Sequence, residues 1–271
     1  MSKLLKKKIE NLEKILKEIK KTAVAFSGGV DSTFLLKYSC DILGRKNVIA
    51  VIEKGILYPK EETSSAINLA KKFGIKYFTI HSHQLKDRYF IQNPVDRCFH
   101  CKKDLFESIK KMIPLDFCIV DGSNADDTKD FRPGEKAKKL LNVRSPLQEA
   151  NLTKEDIRNV SKKLGLPTWN KPSFACFSSR IPYGEKITKE NLLRIEKSER
   201  YLKSKGFWQV RIRDYGNICR IEVLPEEFEK ILKEREQILK KFKKIGYLYI
   251  TLDLAGYRTG SMNEVFKTAK V

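Results

Sequence analysis

Hydrophobic positions follow a helical period at the start of the chain. Between residues 4 and 19 they recur every three or four positions among lysines, which predicts an amphipathic helix that packs on the domain or covers it as a lid. Short apolar runs then alternate with helical patterns, and this alternation predicts a parallel sheet with right-handed helical crossovers. The predicted strands are 22–26, 48–53, 77–80, 117–121 and 143–147, and the first two crossover helices are 32–43 and 59–73.

The pattern changes after a helix predicted at 153–164, which begins at the N-cap Thr153 with Asp156 three residues later. Beyond Gly165 and Pro167, two helices at 188–204 and 225–243 combine with strands at 208–214, 217–223 and 246–252. We therefore expect an α/β domain over residues 1–165 and a smaller α+β domain with an antiparallel sheet over 166–271.

Composition indicates a globular protein, with 41% hydrophobic and 33% charged residues among 271. The longest apolar run, Val48 to Ile52, is too short to cross a bilayer. The first residues lack the apolar core of a secretion signal, so we expect a cytoplasmic protein whose six cysteines are reduced.

The chain is strongly basic, with 55 Lys and Arg against 34 Asp and Glu and a net charge of +21. Charge of this size raises the question of a nucleic-acid partner. The excess is spread evenly along the chain without a basic arm, and a lysine-rich composition suited to a hot or salty cytoplasm explains it equally well. We do not expect a nucleic-acid partner.

The segment Ser27-Gly28-Gly29-Val30-Asp31-Ser32 lies between the first predicted strand and the next helix. Two glycines let the backbone approach an anion, and the amides at a helix start favour phosphate. The chain contains no Gly-Lys pair, so this is not the P-loop of kinases and GTPases. Asp31 suits a Mg²⁺ bridge to the phosphates.

These six residues resemble the signature of the PP-loop ATP pyrophosphatases. The resemblance implies a Rossmann-like parallel sheet, ATP bound by residues 27–32, attack of a substrate oxygen on the α-phosphate, and release of pyrophosphate. A second polar loop, 121–127, follows another strand and is expected at the same sheet edge. Its Gly122, Asn124 and Asp126 are candidate ATP ligands, and a simple helix-capping turn is the alternative.

Cys98 and Cys101 form a Cys-X-X-Cys pair in a predicted loop flanked by Arg97, Lys102 and Lys103, and Cys176 lies between Lys171 and Arg180. Neighbouring cations favour the thiolate form of cysteine. A metal site, a redox pair and chance spacing all remain open for the pair at this point. Cys40, Cys118 and Cys219 fall in a helix and two strands, where buried small apolar residues are expected.

Longer motifs resemble the LarE family over nearly the whole chain. They are SPL at 145–147, LGLPTW at 164–169, KP at 171–172, AC at 175–176, SSRIPYG at 178–184 and YRTGSMN at 257–263. The resemblance implies an ATP-dependent sulfur transferase of nickel-pincer nucleotide biosynthesis. Such an enzyme adenylates a carboxylate of pyridinium-3,5-biscarboxylic acid mononucleotide and converts it to a thiocarboxylate.

The resemblance also implies roles for particular residues. One branch of the family uses the cysteine that matches Cys176 as a sacrificial sulfur donor. In another branch, cysteines matching Cys98, Cys101 and Cys176 hold a [4Fe-4S] cluster, and this chain has all three. The expected substrate-binding residues are Ser179, Arg180, Glu199, Arg211, Arg213 and Glu222, with Arg180 also stabilising the tetrahedral charge.

Alternatives remain for the metal and for the activity. A zinc site completed by His100 or Cys118, or three thiols without metal, are alternatives to the cluster. A PP-loop tRNA thiolase and a non-catalytic ATP-binding scaffold with a metal-stapled loop are alternatives to the sulfur transferase. The expected partners are the small pyridinium nucleotide, sulfide or a cysteine desulfurase as sulfur source, and further copies of the chain in a homo-oligomer.

Overall fold

The computed structural model describes residues 2–129 and 133–266. The chain divides into two compact units. The first contains Met1–His83 and Asp96–Phe174, and the second contains Gln84–Val95 and Ala175–Val271. The main part of the second unit thus begins ten residues after the expected boundary at 165, and a short segment from the first half of the chain belongs to it.

A four-stranded parallel sheet forms the centre of the first unit. Its strands are β1 (Thr22–Ala25), β2 (Val48–Lys54), β3 (Lys76–His81) and β4 (Cys118–Val120), in the order β3-β2-β1-β4. Val24 of β1 is paired with Ala50 on one side and with Val120 on the other. All three residues are buried, as expected for parallel strands that are covered on both faces. The predicted fold class is confirmed.

Helices connect the strands and cover the sheets. In the described chain they are α1 (Lys3–Ile19), α2 (Val30–Leu43), α3 (Lys60–Lys72), α4 (Arg88–Ile91), α5 (Arg97–Met112), α6 (Gly134–Leu141), α7 (Pro146–Glu149), α8 (Lys154–Lys163), α9 (Lys189–Ser204), α10 (Phe228–Lys233) and α11 (Arg235–Ile245). The first helix is a packing element, because Leu12 and Leu16 are fully buried in the core that also contains Phe34 of α2. The predicted cap of α8 is present, with Thr153 and Asp156 in a reciprocal capping box.

The strand expected at 143–147 is wrong. Only one bridge, between Val120 and Arg144, extends the sheet there. Proline has no N–H to donate to a strand and is well suited to the first helical turn, so the chain enters α7 at Pro146 instead.

The second unit contains a three-stranded mixed sheet. Its strands are β5 (Arg211–Tyr215), β6 (Ile218–Glu222) and β7 (Tyr249–Leu252). The β5–β6 pair is antiparallel but the β6–β7 pair is parallel, so the purely antiparallel sheet expected from the sequence is wrong. The connection from β6 to β7 runs through α10 and α11, and a helical crossover is the usual link between parallel strands.

The short segment Gln84–Val95 is tied to the second unit by Asn93. The side-chain amide of Asn93 donates to the carbonyls of Ile181 and Pro182, at 3.3 and 2.6 Å. The Asn93 carbonyl in turn accepts from the N–H of Gly184. Among the described residues, no helix has both the length and the apolar character needed to span a membrane.

Candidate active site

The segment of residues 27–32, called the phosphate loop below, lies between β1 and α2. Gly28 has φ +69°, and a Cβ at this position would lie 2.9 Å from the Cβ of Ala66 on α3, so both conformation and space require glycine. Gly29 caps α2 without a side-chain hydrogen bond, which leaves the first-turn amides available to an anion. The Ser27 and Ser32 hydroxyl oxygens are 3.1 Å apart. The loop therefore has the donors and close backbone approach of a phosphate site.

Asp31 stands in the first turn of α2. Its Oδ2 lies 2.5 Å from the Lys154 ammonium, while its buried Oδ1 accepts no hydrogen bond from any described residue. A carboxylate with one unfilled oxygen beside a phosphate loop suits a hydrated Mg²⁺ ion. The location of Asp31 fits the predicted metal-bridging role.

Two lysines from distant segments reach the phosphate loop, and sequence reasoning missed both. Lys154 begins α8, and Lys171 donates to the carbonyl oxygen of Gly28 at 3.0 Å. Lys171 also forms an ion pair of 2.5 Å with Glu62 of α3. The loop lacks its own lysine, yet two ammonium groups stand beside it. Sequence separations of 123 and 143 residues explain why no local motif marks them.

The second polar loop lies against the first. A Cβ at Gly122 would lie 3.0 Å from the backbone nitrogen of Ser32, so Gly122 allows the two loops to approach closely. Asn124 accepts from the N–H of Asp126, and Asp126 accepts from the N–H of Lys154, so both side chains cap backbone amides. Both side chains therefore make the capping contacts that we considered as the alternative to ATP binding.

Asp121 precedes this loop and is buried. Burial alone would raise the pKa of this carboxyl, but the ammonium groups of Lys102 and Lys138, each 3.6 Å away, and hydroxyls of Ser145 and Ser123 hold it below its ordinary value. Asp121 is therefore a charged anchor of the sheet edge.

Cys98 and Cys101 lie in the first turns of α5, so the loop expected for them is wrong. Asp96 precedes the helix, which begins at Arg97. Residues three apart on a helix are surface neighbours, so the two side chains share one face. Both are partly exposed and neither forms a disulfide. The next residue, Lys102, contacts Asp121, which places this helix start beside the carboxyl end of β4.

Cys176 begins a tight turn in the second unit, followed by the 3₁₀ residues Phe177–Arg180. Its sulfur lies 2.9 Å from the Ser178 hydroxyl oxygen. Its carbonyl oxygen accepts from the Ser179 hydroxyl at 2.8 Å and from Nη1 of Arg180 at 2.9 Å. The thiol is partly exposed on a backbone that several donors hold in place.

Arg180 is fully buried and faces away from solvent. Its Nε and Nη2 form a two-pronged ion pair with Glu199 of α9, at 2.9 and 3.1 Å, and Nη1 also donates to Ala175. Burial would raise the pKa of Glu199, but the Arg180 guanidinium holds it below its ordinary value. This placement differs from the expected direct contact with substrate, because the guanidinium holds the Cys176 turn.

A second buried pair joins Arg213 of β5 to Glu222 of β6, at 2.9 and 2.6 Å, and Nη1 of Arg213 donates to the Ser179 carbonyl. Arg211 stands on the same strand face, and burial together with the positive charge of Arg180 lowers its pKa to about 10. Glu199 and Glu222 thus both belong to buried ion pairs. This cluster, formed by Arg180, Glu199, Arg211, Arg213 and Glu222, is called the arginine cluster below.

The remaining cysteines have the expected locations. Cys40 in α2 and Cys219 in β6 are buried, and Cys118 in β4 is partly buried. Burial raises the pKa of all three thiols. In the described parts of the chain, no three His, Cys, Asp or Glu side chains are arranged to hold a metal ion.

Comparison with known proteins places this geometry in a family. The model of the NAD synthase family matches residues 3–106, which include the phosphate loop. The pyridinium-3,5-bisthiocarboxylic acid mononucleotide synthase of Lactiplantibacillus plantarum is 36% identical over 258 residues, covering 94% of each chain. The chain belongs to the LarE family. The family match supports the use of ATP, and the phosphate loop lies within the matched residues.

Other relatives agree with this assignment. An uncharacterized protein of Synechocystis is 38% identical to this LarE-family chain over 266 residues, covering 97% of this chain and 99% of the relative. The NH₃-dependent NAD⁺ synthetase of Methanopyrus kandleri is 38% identical over 64 residues, or 24% of this chain and 22% of its own. Similarity to the NAD⁺ synthetase is thus confined to about a quarter of this chain, whereas similarity to the LarE-family synthase extends over both units.

Proposed function

We propose that this protein is an ATP-dependent sulfur transferase that converts pyridinium-3,5-biscarboxylic acid mononucleotide to the thiocarboxylate. The phosphate loop is the main support for this proposal, because its helix amides and one oxygen of Asp31 are available to a Mg·ATP ligand. The chain that carries this loop is similar over both units to a synthase of the bisthiocarboxylic acid nucleotide. A cytoplasmic setting is part of the proposal, because the reaction needs ATP together with reduced thiols.

In the first step, a substrate carboxylate oxygen attacks the α-phosphorus of ATP. A new P–O bond forms, the bond to the β-phosphate oxygen breaks, and pyrophosphate leaves with its electron pair. Amides of residues 28–32 bind the departing phosphates, and Asp31 would hold a Mg²⁺ ion, which would supply positive charge to them. The carboxylate becomes a mixed anhydride, which is a far better electrophile.

In the second step, a sulfur nucleophile attacks the acyl carbon and AMP leaves as the C–O bond breaks. If the Cys176 thiolate attacks, an enzyme thioester forms; loss of the Cys176 α-proton and cleavage of its Cβ–S bond then release the thiocarboxylate and leave dehydroalanine. If hydrosulfide delivered beside Cys176 attacks, the thiocarboxylate forms directly with loss of a proton. Within the turn, Arg180 fixes the Cys176 carbonyl and Ser178 contacts the sulfur, so the chain holds the nucleophile in one orientation. In the hydrosulfide route, the sulfur is replaced by sulfide, or by a cysteine desulfurase whose persulfide a thiol reductant converts to hydrosulfide.

The arginine cluster supports binding of an anionic substrate group. Three arginines and two glutamates leave one excess positive charge among the five side chains, and an anion would neutralise it. Arg211 is suited to this role because its buried guanidinium lies on the same strand face as Arg213, beside the positive charge of Arg180, and an anion would offset this repulsion. Ser179 completes the proposed substrate site, because its hydroxyl contacts Arg180 and its carbonyl accepts from Arg213.

We further propose that Cys98, Cys101 and Cys176 hold a [4Fe-4S] cluster. The donor chemistry fits, because all three are thiols outside disulfides and two share one helix face. When bound, the cluster would supply an iron that is open to hydrosulfide. Iron and acid-labile sulfide in anaerobically prepared protein test this, with Cys98→Ser/Cys101→Ser as the comparison. Protein without iron, or iron retained in the double variant, would contradict the cluster.

Pyrophosphate release tests the adenylation step. Mixed with Mg·ATP, the wild-type protein should release pyrophosphate only when the pyridinium dicarboxylate nucleotide is added, and Asp31→Asn should release almost none. Release that depends on tRNA and not on the nucleotide would favour the thiolase alternative. Absence of release with either substrate would leave only the non-catalytic scaffold.

A further inference from the structure

The segment that leads into Cys176 is attached to the phosphate loop by one side chain. Lys171 lies five residues before Cys176, and its ammonium donates to the carbonyl of Gly28 within the loop. On its other side it pairs with Glu62, and about a fifth of the Lys171 side chain is exposed, at 20%. The ammonium therefore stands in the ATP-binding loop with access to a ligand.

The backbone of this segment is held independently of the ammonium. Arg158 of α8 donates to the carbonyls of Trp169 and Lys171, both at 2.8 Å. Lys162 of α8 lies over the Trp169 ring, 4.7 Å from its centroid. Arg158 thus positions the backbone at Lys171, and the contacts of the flexible Lys171 side chain add a second restraint on the segment, which a ligand can change.

Cys176 is anchored at the other end of the link. Its carbonyl accepts from Arg180, which is held by Glu199. Five residues span at most about 18 Å, so a change in the restraint at Lys171 reaches the Cys176 turn through a short covalent link. A nucleotide triphosphate would bring several negative charges to the loop, and these attract the ammonium more strongly than a neutral carbonyl does.

We propose that Lys171 is a phosphate-sensing residue that couples ATP occupancy of the phosphate loop to the Cys176 turn. Bound phosphates take the Lys171 ammonium from Gly28 and Glu62, and the segment 171–176 becomes more tightly restrained. Glu62 competes with ATP for the ammonium. This coupling rests on the proposed use of ATP at the phosphate loop. It gives Lys171 the role of linking ATP binding there to the turn that contains Cys176.

Nucleotide affinity provides the first test. α,β-Methylene-ATP with Mg²⁺ is the probe, because its bridging carbon resists cleavage at the α-phosphate. Lys171→Met should weaken binding about tenfold, as expected for loss of a charge-assisted hydrogen bond. Glu62→Gln should strengthen binding, since it removes both a competitor and a nearby negative charge. Lys163→Met, which removes an exposed lysine of α8, should bind as the wild type does.

Alkylation of Cys176 in iron-free protein, followed by peptide mass spectrometry at saturating nucleotide, provides the second test, because a thiol that holds iron would not be alkylated. The probe should slow labelling about threefold or more in the wild type and in Lys163→Met, but hardly at all in Lys171→Met, because the restraint is missing. Equal slowing in Lys171→Met would mean direct shielding by nucleotide and would overturn the coupling. Weaker binding in Glu62→Gln would overturn the competition.

The two proposals fail in different ways. If nucleotide binds and Lys171→Met changes neither affinity nor labelling, only the sensing role is lost. If no variant and not even the wild type binds nucleotide, the proposed ATP-dependent function falls with it. Circular dichroism of each variant confirms that the fold is intact, and Glu62→Gln provides an independent test if Lys171→Met misfolds.

Discussion

The phosphate loop and the arginine cluster use charge in opposite ways. At the phosphate loop, Asp31 and Lys154 keep 20% and 31% of their side chains exposed, and one oxygen of Asp31 is unfilled. In the arginine cluster, Arg180 and Glu199 are exposed by 0% and 3% and form a two-pronged pair. The phosphate loop leaves a carboxylate oxygen of Asp31 open to a ligand, whereas the Arg180–Glu199 pair of the arginine cluster fixes a turn of backbone.

This difference has an energetic consequence. A partly exposed ion pair contributes little to stability and is easily exchanged for a ligand. A buried pair has lost the hydration of both ions, so removal of one partner leaves an uncompensated charge in the interior. Substitutions in the arginine cluster should therefore reduce stability, and those at the phosphate loop should reduce activity.

The largest loss of stability is expected for Glu199→Ala. Breaking a buried ion pair costs about 3–5 kcal/mol of unfolding free energy, because Arg180 would remain charged and buried. Urea unfolding measures this loss. Glu196→Ala on the same helix removes a carboxylate that lies 4.0 Å from an exposed arginine, and should change stability by less than about 1 kcal/mol. Similar losses in both variants would contradict the comparison.

A smaller loss is expected for Gly28→Ala. The left-handed conformation costs about 1–2 kcal/mol for a residue with a Cβ, and the contact with Ala66 adds to it. Gly165→Ala is the matched control, because Gly165 has φ +64° with no atom within 4 Å of the added Cβ. Nucleotide binding should be lost only in Gly28→Ala. Unchanged nucleotide affinity there would show that the loop does not need close backbone approach.

Asp31→Asn should change stability by at most about 1 kcal/mol, because its pair with Lys154 is partly exposed. Pyrophosphate release should nevertheless fall about a hundredfold or more, since the metal-binding charge is gone. The unfolding free energy therefore reports on the ion pair, and pyrophosphate release reports on metal binding. A large stability loss with normal pyrophosphate release would reverse the roles assigned to the two regions.

The smallest effect concerns pH. The pKa of Glu199 is lowered in the folded state, so its stabilising contribution is present above its ordinary value of 4.5 and is lost as pH falls through the lower folded value. Burial raises the pKa of Asp214 above 3.8, so its contribution is present at low pH and is lost as pH rises.

Unfolding free energies between about pH 3 and 6 distinguish these two carboxyls. Glu199→Gln should flatten the acid loss of stability, whereas Asp214→Asn should steepen it. Parallel pH profiles for both variants would contradict the assigned signs.

Local patterns predicted much of this fold. The period of residues 4–19, the capping box of α8 and the glycines of the phosphate loop all act within a few residues, so their structures follow from the sequence. The parallel partner of β6 does not, because it is chosen by packing of α10 and α11. The phosphate-loop lysines were missed for the same reason, since their contacts join distant segments. The inward orientation of Arg180 depends on Glu199, which no local spacing reveals.

Mass spectrometry of the nucleotide product shows whether this chain transfers sulfur to the pyridinium carboxylate. Anaerobic protein is mixed with Mg·ATP, sulfide and pyridinium-3,5-biscarboxylic acid mononucleotide, with Asp31→Asn and Cys176→Ser alongside. We expect replacement of a carboxylate oxygen by sulfur with the wild-type protein and with neither variant. AMP and pyrophosphate formed without any sulfur in the product, or a sulfur-containing product from Cys176→Ser at the wild-type rate, would contradict it.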